Sequence, residues 1–159
     1  MANVLQNVIN VLVVDDSAFM RKDISDILNS DPGVRGIDTA KNGSEAIEKV
    51  NSLKPDVVTL DVEMPIMDGL TCLKELLKQG NVPVVMLSSV TKDGAEQTIK
   101  ALEDGAVDFI TNPTNIFEMS NNEKKIEVIE KVKVAKNSTR IRRDSINNLH
   151  IKPKNDIVK

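Results

Sequence analysis

One histidine, one cysteine, three phenylalanines and neither tryptophan nor tyrosine stand in these 159 residues. His150 sits alone in a polar C-terminal stretch, which disfavours triad or nucleophilic chemistry built on histidine. Cys72 has no partner for an internal disulfide, and no Cys/His pair has zinc-site spacing. It lies among Leu70, Leu73, Leu76 and Leu77 on a predicted helix, where a small buried hydrophobe is the simplest role. The longest apolar runs, Val11 to Val14 and Val82 to Leu87, are far too short to span a bilayer. Met1 to Asn10 lacks the basic start and long apolar stretch of a signal peptide, so a cytoplasmic protein without a membrane segment is expected. There is no internal repeat and no G-x-G-x-x-G, which argues against a dinucleotide-binding domain.

What is present suits a soluble globular domain, with 40% hydrophobic and 28% charged residues. The charge is split. Residues 1–135 carry −8 and residues 136–159 carry +5, so the body is acidic and the C-terminal stretch basic. An acidic body disfavours nucleic-acid binding, and the basic end has neither aromatic residues beside Arg140, Arg142 and Arg143 nor a helix-turn-helix pattern. No DNA-binding domain is expected.

Val11 to Asp15 is a near-continuous apolar run that ends in two carboxylates, the pattern of a strand covered on both faces. Ser17 or Asp16 can cap a helix to about Asn29. A second strand, Val34 to Ala40, leads to a helix carrying Ala46, Ile47, Val50 and Leu53. A third, ending at Asp61, is followed by a helix from about Leu70 to Gln79. The fourth strand runs over Pro83 to Ser89, and its helix over Asp93 to Glu103 with Thr98, Ile99 and Leu102 inward. The fifth, Ala106 to Thr111, stops at Asn112-Pro113, and a last helix spans Glu123 to about Lys136. Five β-α units imply a doubly wound five-stranded parallel sheet with five helices on its two faces. Residues 9–136 would form this domain; residues 137–159 have no convincing period and read as a basic flexible tail or truncated linker.

In such a sheet the strand ends share one edge, which gathers Asp15, Asp16, Asp61, Ser88, Ser89 and Asn112. Clustered carboxylates repel one another unless a cation neutralises them, and oxygen-only ligands point to a hard ion such as Mg²⁺. Asp61 could then act as a nucleophile toward a phosphoryl group, with Ser88 as a donor to its oxygens. Taken singly, Asp15 and Asp16 could equally be helix caps and Ser88 a turn former.

The segments Val-Val-Asp-Asp-Ser17, Leu-Asp-Val-Glu-Met-Pro-Ile-Met-Asp-Gly69, Val-Val-Met-Leu-Ser-Ser89 and Gly-Ala-Val-Asp-Phe-Ile-Thr-Asn-Pro113 together resemble the receiver domain of two-component response regulators, over about residues 9–136. More narrowly they are similar to the N-terminal receiver of the chemotaxis protein-glutamate methylesterase. The resemblance implies a flavodoxin-like receiver fold with Asp61 as phosphoacceptor and a sensor histidine kinase as donor. It implies Mg²⁺ held by Asp16, Asp61 and the backbone carbonyl of Glu63, with Asp15 acting through water. Ser88 would be the switch hydroxyl and Phe109 the aromatic that swings with it, also compatible with a place in the core. The output would be a change in partner binding, in chemotaxis on the narrower resemblance, with the downstream target unspecified. The peptide before Pro113 would be cis. Met64, Ile66 and Met67, beside Asp61, either expose an apolar patch or pack within their own loop.

Two departures stand out. Asn112 replaces the expected lysine and offers a neutral donor instead of a full charge, which predicts slower phosphorylation. The chain also reaches Lys159 without a G-x-S-x-G nucleophile motif, so it is expected to be no enzyme. The alternatives are a pseudo-receiver serving as a constitutive interaction module, and the regulatory part of a methylesterase that lacks its catalytic domain.

Overall fold

Val11-Leu-Val-Val14 can be covered on both faces only inside a sheet, and that is where it lies. In a computed structural model, residues 8–65, 67–89, 92–112 and 121–151 are described, with side chains at all of these except 89, 92, 112, 121 and 139–151. Strand β1 (Ile9–Val14) is followed in chain order by α1 (Ala18–Asn29), β2 (Val34–Ala40), α2 (Gly43–Leu53), β3 (Val57–Asp61), α3 (Gly69–Gln79), β4 (Val84–Ser89), α4 (Lys92–Asp104), β5 (Asp108–Asn112) and α5 (Asn121–Ile151). All four strand pairings are parallel, in the order β2-β1-β3-β4-β5. This is the five-stranded, doubly wound arrangement expected.

Alternation along each strand divides the interior in two. Leu12, Val14, Val58, Leu60 and Met86 face one layer with Ala46, Cys72, Leu73, Leu76 and Ala101 of α2, α3 and α4. Val11, Val13, Val57, Val85, Leu87 and Ile110 face the other, with Ile24, Ile27 and Leu28 of α1 and Val128, Val132 and Ala135 of α5. Cys72 is buried as expected, its Sγ 3.9 Å from the Gly43 carbonyl oxygen.

Short polar side chains start the helices. Ser17 Oγ accepts from Met20 N–H at 3.2 Å, Asn42 Oδ1 from Glu45 N–H at 2.8 Å and Asp68 Oδ1 from Thr71 N–H at 2.9 Å, each satisfying an N–H that the helix leaves unpaired. Gly105, at φ 130°, closes α4 in a conformation that other residues rarely adopt.

Several expectations are corrected. Ile99 points outward, 59% exposed, because Thr98, Ala101 and Leu102 already supply the sheet-facing stripe of α4. Strand β5 begins at Asp108 and takes in Asn112, since its register with β4 runs from Val85↔Asp108 to Ser89↔Asn112. Helix α5 continues past Lys136 to Ile151, where a flexible tail is expected; no proline or glycine interrupts residues 121–152, so the backbone stays helical after its apolar period is lost. A register shift between Val11 and Leu12, where β2 contributes one residue more than β1, falls at Gly36, and a glycine inside a strand is a mark of such a bulge. No helix among the described residues is long and apolar enough to cross a membrane.

Candidate functional site

The strand order reverses at β1 and β3, and open α/β sheets form their ligand crevice at the carboxyl end of such a reversal. Val14 is paired with Leu60 there, so the next residues, Asp15 and Asp61, leave the sheet side by side. Carboxylate oxygens of Asp15, Asp16 and Asp61 lie within 4.8 Å of one another. Asp15 is buried, Asp61 half-buried and Asp16 exposed, so the cluster opens to solvent on the Asp16 side.

Burial pushes the Asp61 carboxyl up to about 8; the neighbouring Asp15 and Asp16 charges push the same way, and the Glu63 N–H, donating to Asp61 Oδ1 at 3.1 Å, pulls against them. Asp15 is raised too, mainly by burial, with the Ser17 N–H opposing at 2.9 Å from its Oδ1. Asp15 and Asp61, disfavoured as anions first by burial and then by the neighbouring carboxylates, stand with Asp16 in a cluster that holds neither His nor Cys, a donor set suited to a hard divalent cation.

The other strand ends complete the edge. Asp61 pairs with Leu87, so Ser88 is the next residue of β4 beyond it; Ser88 is buried, and its hydroxyl donates to the Gly94 carbonyl of α4 at 3.4 Å. Phe109 is 36% exposed on β5, a surface position rather than a core one, with Lys131 Nζ 5.0 Å from its ring centroid and donating to its carbonyl at 2.6 Å. The Asn112 backbone pairs with Ser89 at the same edge. The side chain of Asn112, the peptide into Pro113 and all of Ile66 lie outside the described residues. Met64 is buried and Met67 partly buried against the core, so neither contributes an exposed apolar patch.

Two neighbours of the cluster escaped the sequence reading. Arg21 Nη1 donates to the main-chain oxygen of Asp15 at 2.8 Å. Its signal was a basic residue one helical turn after the Ser17 cap. Gly69 N–H donates to Val62 O at 3.0 Å, and a Cβ on Gly69 would meet the Asp61 carbonyl and come within 2.7 Å of Val62 Cα, so α3 begins in direct contact with the peptide that carries Asp61. Its signal was the Asp-Gly step ahead of the helix.

The family model described as "Response regulator receiver domain" matches residues 11–123. A protein-glutamate methylesterase/protein-glutamine glutaminase of Pyrococcus abyssi is 55% identical over 127 residues, 80% of this chain and 34% of the relative. Its counterpart from Geobacillus kaustophilus is 55% identical over 124 residues, 78% of this chain and 36% of the relative. Among solved structures, the response regulator domain of Thermotoga maritima CheB is 48% identical with a TM-score of 0.73, covering 82% of this chain and 97% of that one. The chain thus spans about a third of the length of the curated relatives it matches. The expectation that the chain is no enzyme is corrected by these relatives, which are named for esterase and glutaminase activities and of which the aligned stretch is only the receiver part.

Proposed function

The chain belongs to the response regulator receiver family, and from that premise we propose that it takes a phosphoryl group on Asp61 from a phosphohistidine of a sensor kinase and changes its partner binding in response. The observation that carries this is the gathering of Asp15, Asp16 and Asp61 within 4.8 Å at the reversal of the sheet. In the transfer, an Asp61 carboxylate oxygen forms a bond to phosphorus, the bond from phosphorus to the donor nitrogen breaks, and that nitrogen keeps the electron pair. Asp16, Asp61 and the Glu63 carbonyl would hold Mg²⁺, with Asp15 acting through water; when bound, the ion would neutralise the charge of the carboxylates and of the incoming phosphoryl oxygens. The Glu63 N–H orients the Asp61 carboxylate. Ser88, on the next strand, would trade its Gly94 contact for a phosphoryl oxygen. Phe109, half out of the fold beside β4, would move with it.

Residues 9–136 would be the receiver, and the rest of α5 would lead away from it. The similarity to methylesterase relatives supports a chemotaxis setting, a cytoplasmic location and a methylesterase domain as the controlled partner. The intact acidic cluster speaks against the pseudo-receiver, for which the replacement of lysine by Asn112 is the one argument.

The test is intact-mass analysis after incubation with a small acyl-phosphate donor and Mg²⁺. The expected result is a gain of one phosphoryl group that requires both Mg²⁺ and Asp61 and is lost in Asp61→Asn. Asn112→Lys should gain it faster, by restoring a charge-assisted contact. A folded protein that gains no mass under any condition refutes the proposal.

A further inference from the structure

We propose that Arg21 is a positioning residue of the cation site, which fixes the approach of the Asp15–Asp16 pair and thereby sets the affinity for a divalent cation. This rests on the site proposed above. Asp15 is held by its neighbours at three points: its N–H donates to Ala40 O at 3.0 Å, its Oδ1 accepts from Ser17 N–H at 2.9 Å, and its main-chain oxygen accepts from Arg21 Nη1 at 2.8 Å. The third contact reaches furthest. The Asp15 carbonyl and the Asp16 N–H belong to one rigid peptide plane, so a donor that grips the oxygen also fixes the plane from which the Asp16 side chain departs. Asp16 is exposed, beyond the packed core that immobilises Asp15. A hold on the peptide plane is therefore the direct way to direct its carboxylate.

Helix geometry supplies the reach. Arg21 N–H donates to Ser17 O at 2.9 Å in the first turn of α1, and side chains of a helix lean toward its N-terminus, here toward the β1–α1 loop. A guanidinium is planar with donors in a fixed fork, so it holds an oxygen in one direction; a lysine ammonium at the same place is a rotatable point charge.

Charge alone predicts the opposite outcome, which makes the two roles separable. A positive charge beside the cluster repels a cation, so removing it should tighten binding. Removing a positioning contact should loosen it.

The experiment is calorimetric titration of the whole chain with magnesium chloride, for the natural sequence, Arg21→Lys, Arg21→Gln and Asp16→Asn, with urea unfolding in EDTA alongside. Both Arg21 variants are expected to bind Mg²⁺ about tenfold more weakly, at the low end of what outer partners of metal ligands contribute. Tighter binding by Arg21→Gln with unchanged Arg21→Lys would show a charge effect only and overturn the proposal. So would lowered stability with affinities within about twofold of the natural protein, the mark of a purely structural contact. A natural protein that binds no Mg²⁺, or binds it equally well as Asp16→Asn, would overturn the cation site and Arg21's role together; binding that only the Arg21 variants leave unchanged overturns Arg21 alone.

Discussion

Replacing Asp61 by asparagine should make the metal-free protein more stable at neutral and alkaline pH while removing the proposed phosphoacceptor. Burial and the charges of Asp15 and Asp16 hold the Asp61 carboxyl at about 8 instead of 3.8. Taken in full, that displacement corresponds to ~6 kcal/mol of preference for the neutral form. Asp61 keeps one side in solvent, where water and counter-ions screen its neighbours, so about 2 kcal/mol is the expected effect. The sign follows from linkage: the folded chain binds this proton more tightly than the unfolded one. The stability it contributes is complete below about pH 3.8, declines as pH rises, and is gone above about pH 8. Asparagine mimics the neutral acid at every pH. The two proteins should therefore be nearly equal in acid, and the variant ahead by about 2 kcal/mol at alkaline pH, in EDTA. Added Mg²⁺ should stabilise the natural protein and narrow the gap, because the ion does for the anion what protonation does in its absence. Urea unfolding followed by far-UV circular dichroism suits a chain without tryptophan. A variant less stable than the natural protein at alkaline pH in EDTA, or a gap that ignores pH, would refute the electrostatic account of the cluster.

Two further substitutions probe the frame around the site. Gly69→Ala forces a Cβ against the peptide of Asp61 and Val62, and should cost about 2 kcal/mol of stability and weaken Mg²⁺ binding; unchanged unfolding and cation affinity would show that the loop gives way freely. Thr59 is fully buried in β3 between Val13 and Val85, and its hydroxyl has no hydrogen-bond partner among the described residues, so Thr59→Val should raise stability by about 1 kcal/mol in the same urea assay; a loss would mean that the hydroxyl is satisfied after all.

The strands that build the site were legible because they are buried on both faces and so are written as apolar runs that break at a carboxylate or a serine: Val11 to Asp15, Val57 to Asp61, Val84 to Ser89. Elements with one wet face were harder. Ile99 is apolar at a plausible helical position, yet only the packing of Thr98 and Ala101 decides which side of α4 is inside. The end of α5 is not legible because the loss of apolar period past Lys136 marks where the packed face stops, while the backbone stays helical to Ile151 in a stretch without proline or glycine. At the site, the carboxylates were readable from their place at the strand ends. Arg21 and Gly69 were not, since each acts on a main-chain carbonyl or peptide, and sequence patterns record which side chains are present but not which backbone oxygens they meet.

Among the described side chains, helix α5 is fastened to the domain through residues 124–136. Val128, Val132 and Ala135 are its buried contacts, and Lys124, Lys133 and Lys136 pair with Asp23, Asp31 and Asp56. From Ala135 to Ile151 the helix runs on for about 24 Å. By simple leverage, a tilt of about 5° near Ala135 would carry the far end of the helix about 2 Å sideways. Lys131 of the same helix touches the Phe109 ring and carbonyl. A displacement of that ring would thus be passed to α5, and a motion of side-chain scale at the sheet edge would become one of backbone scale along the helix.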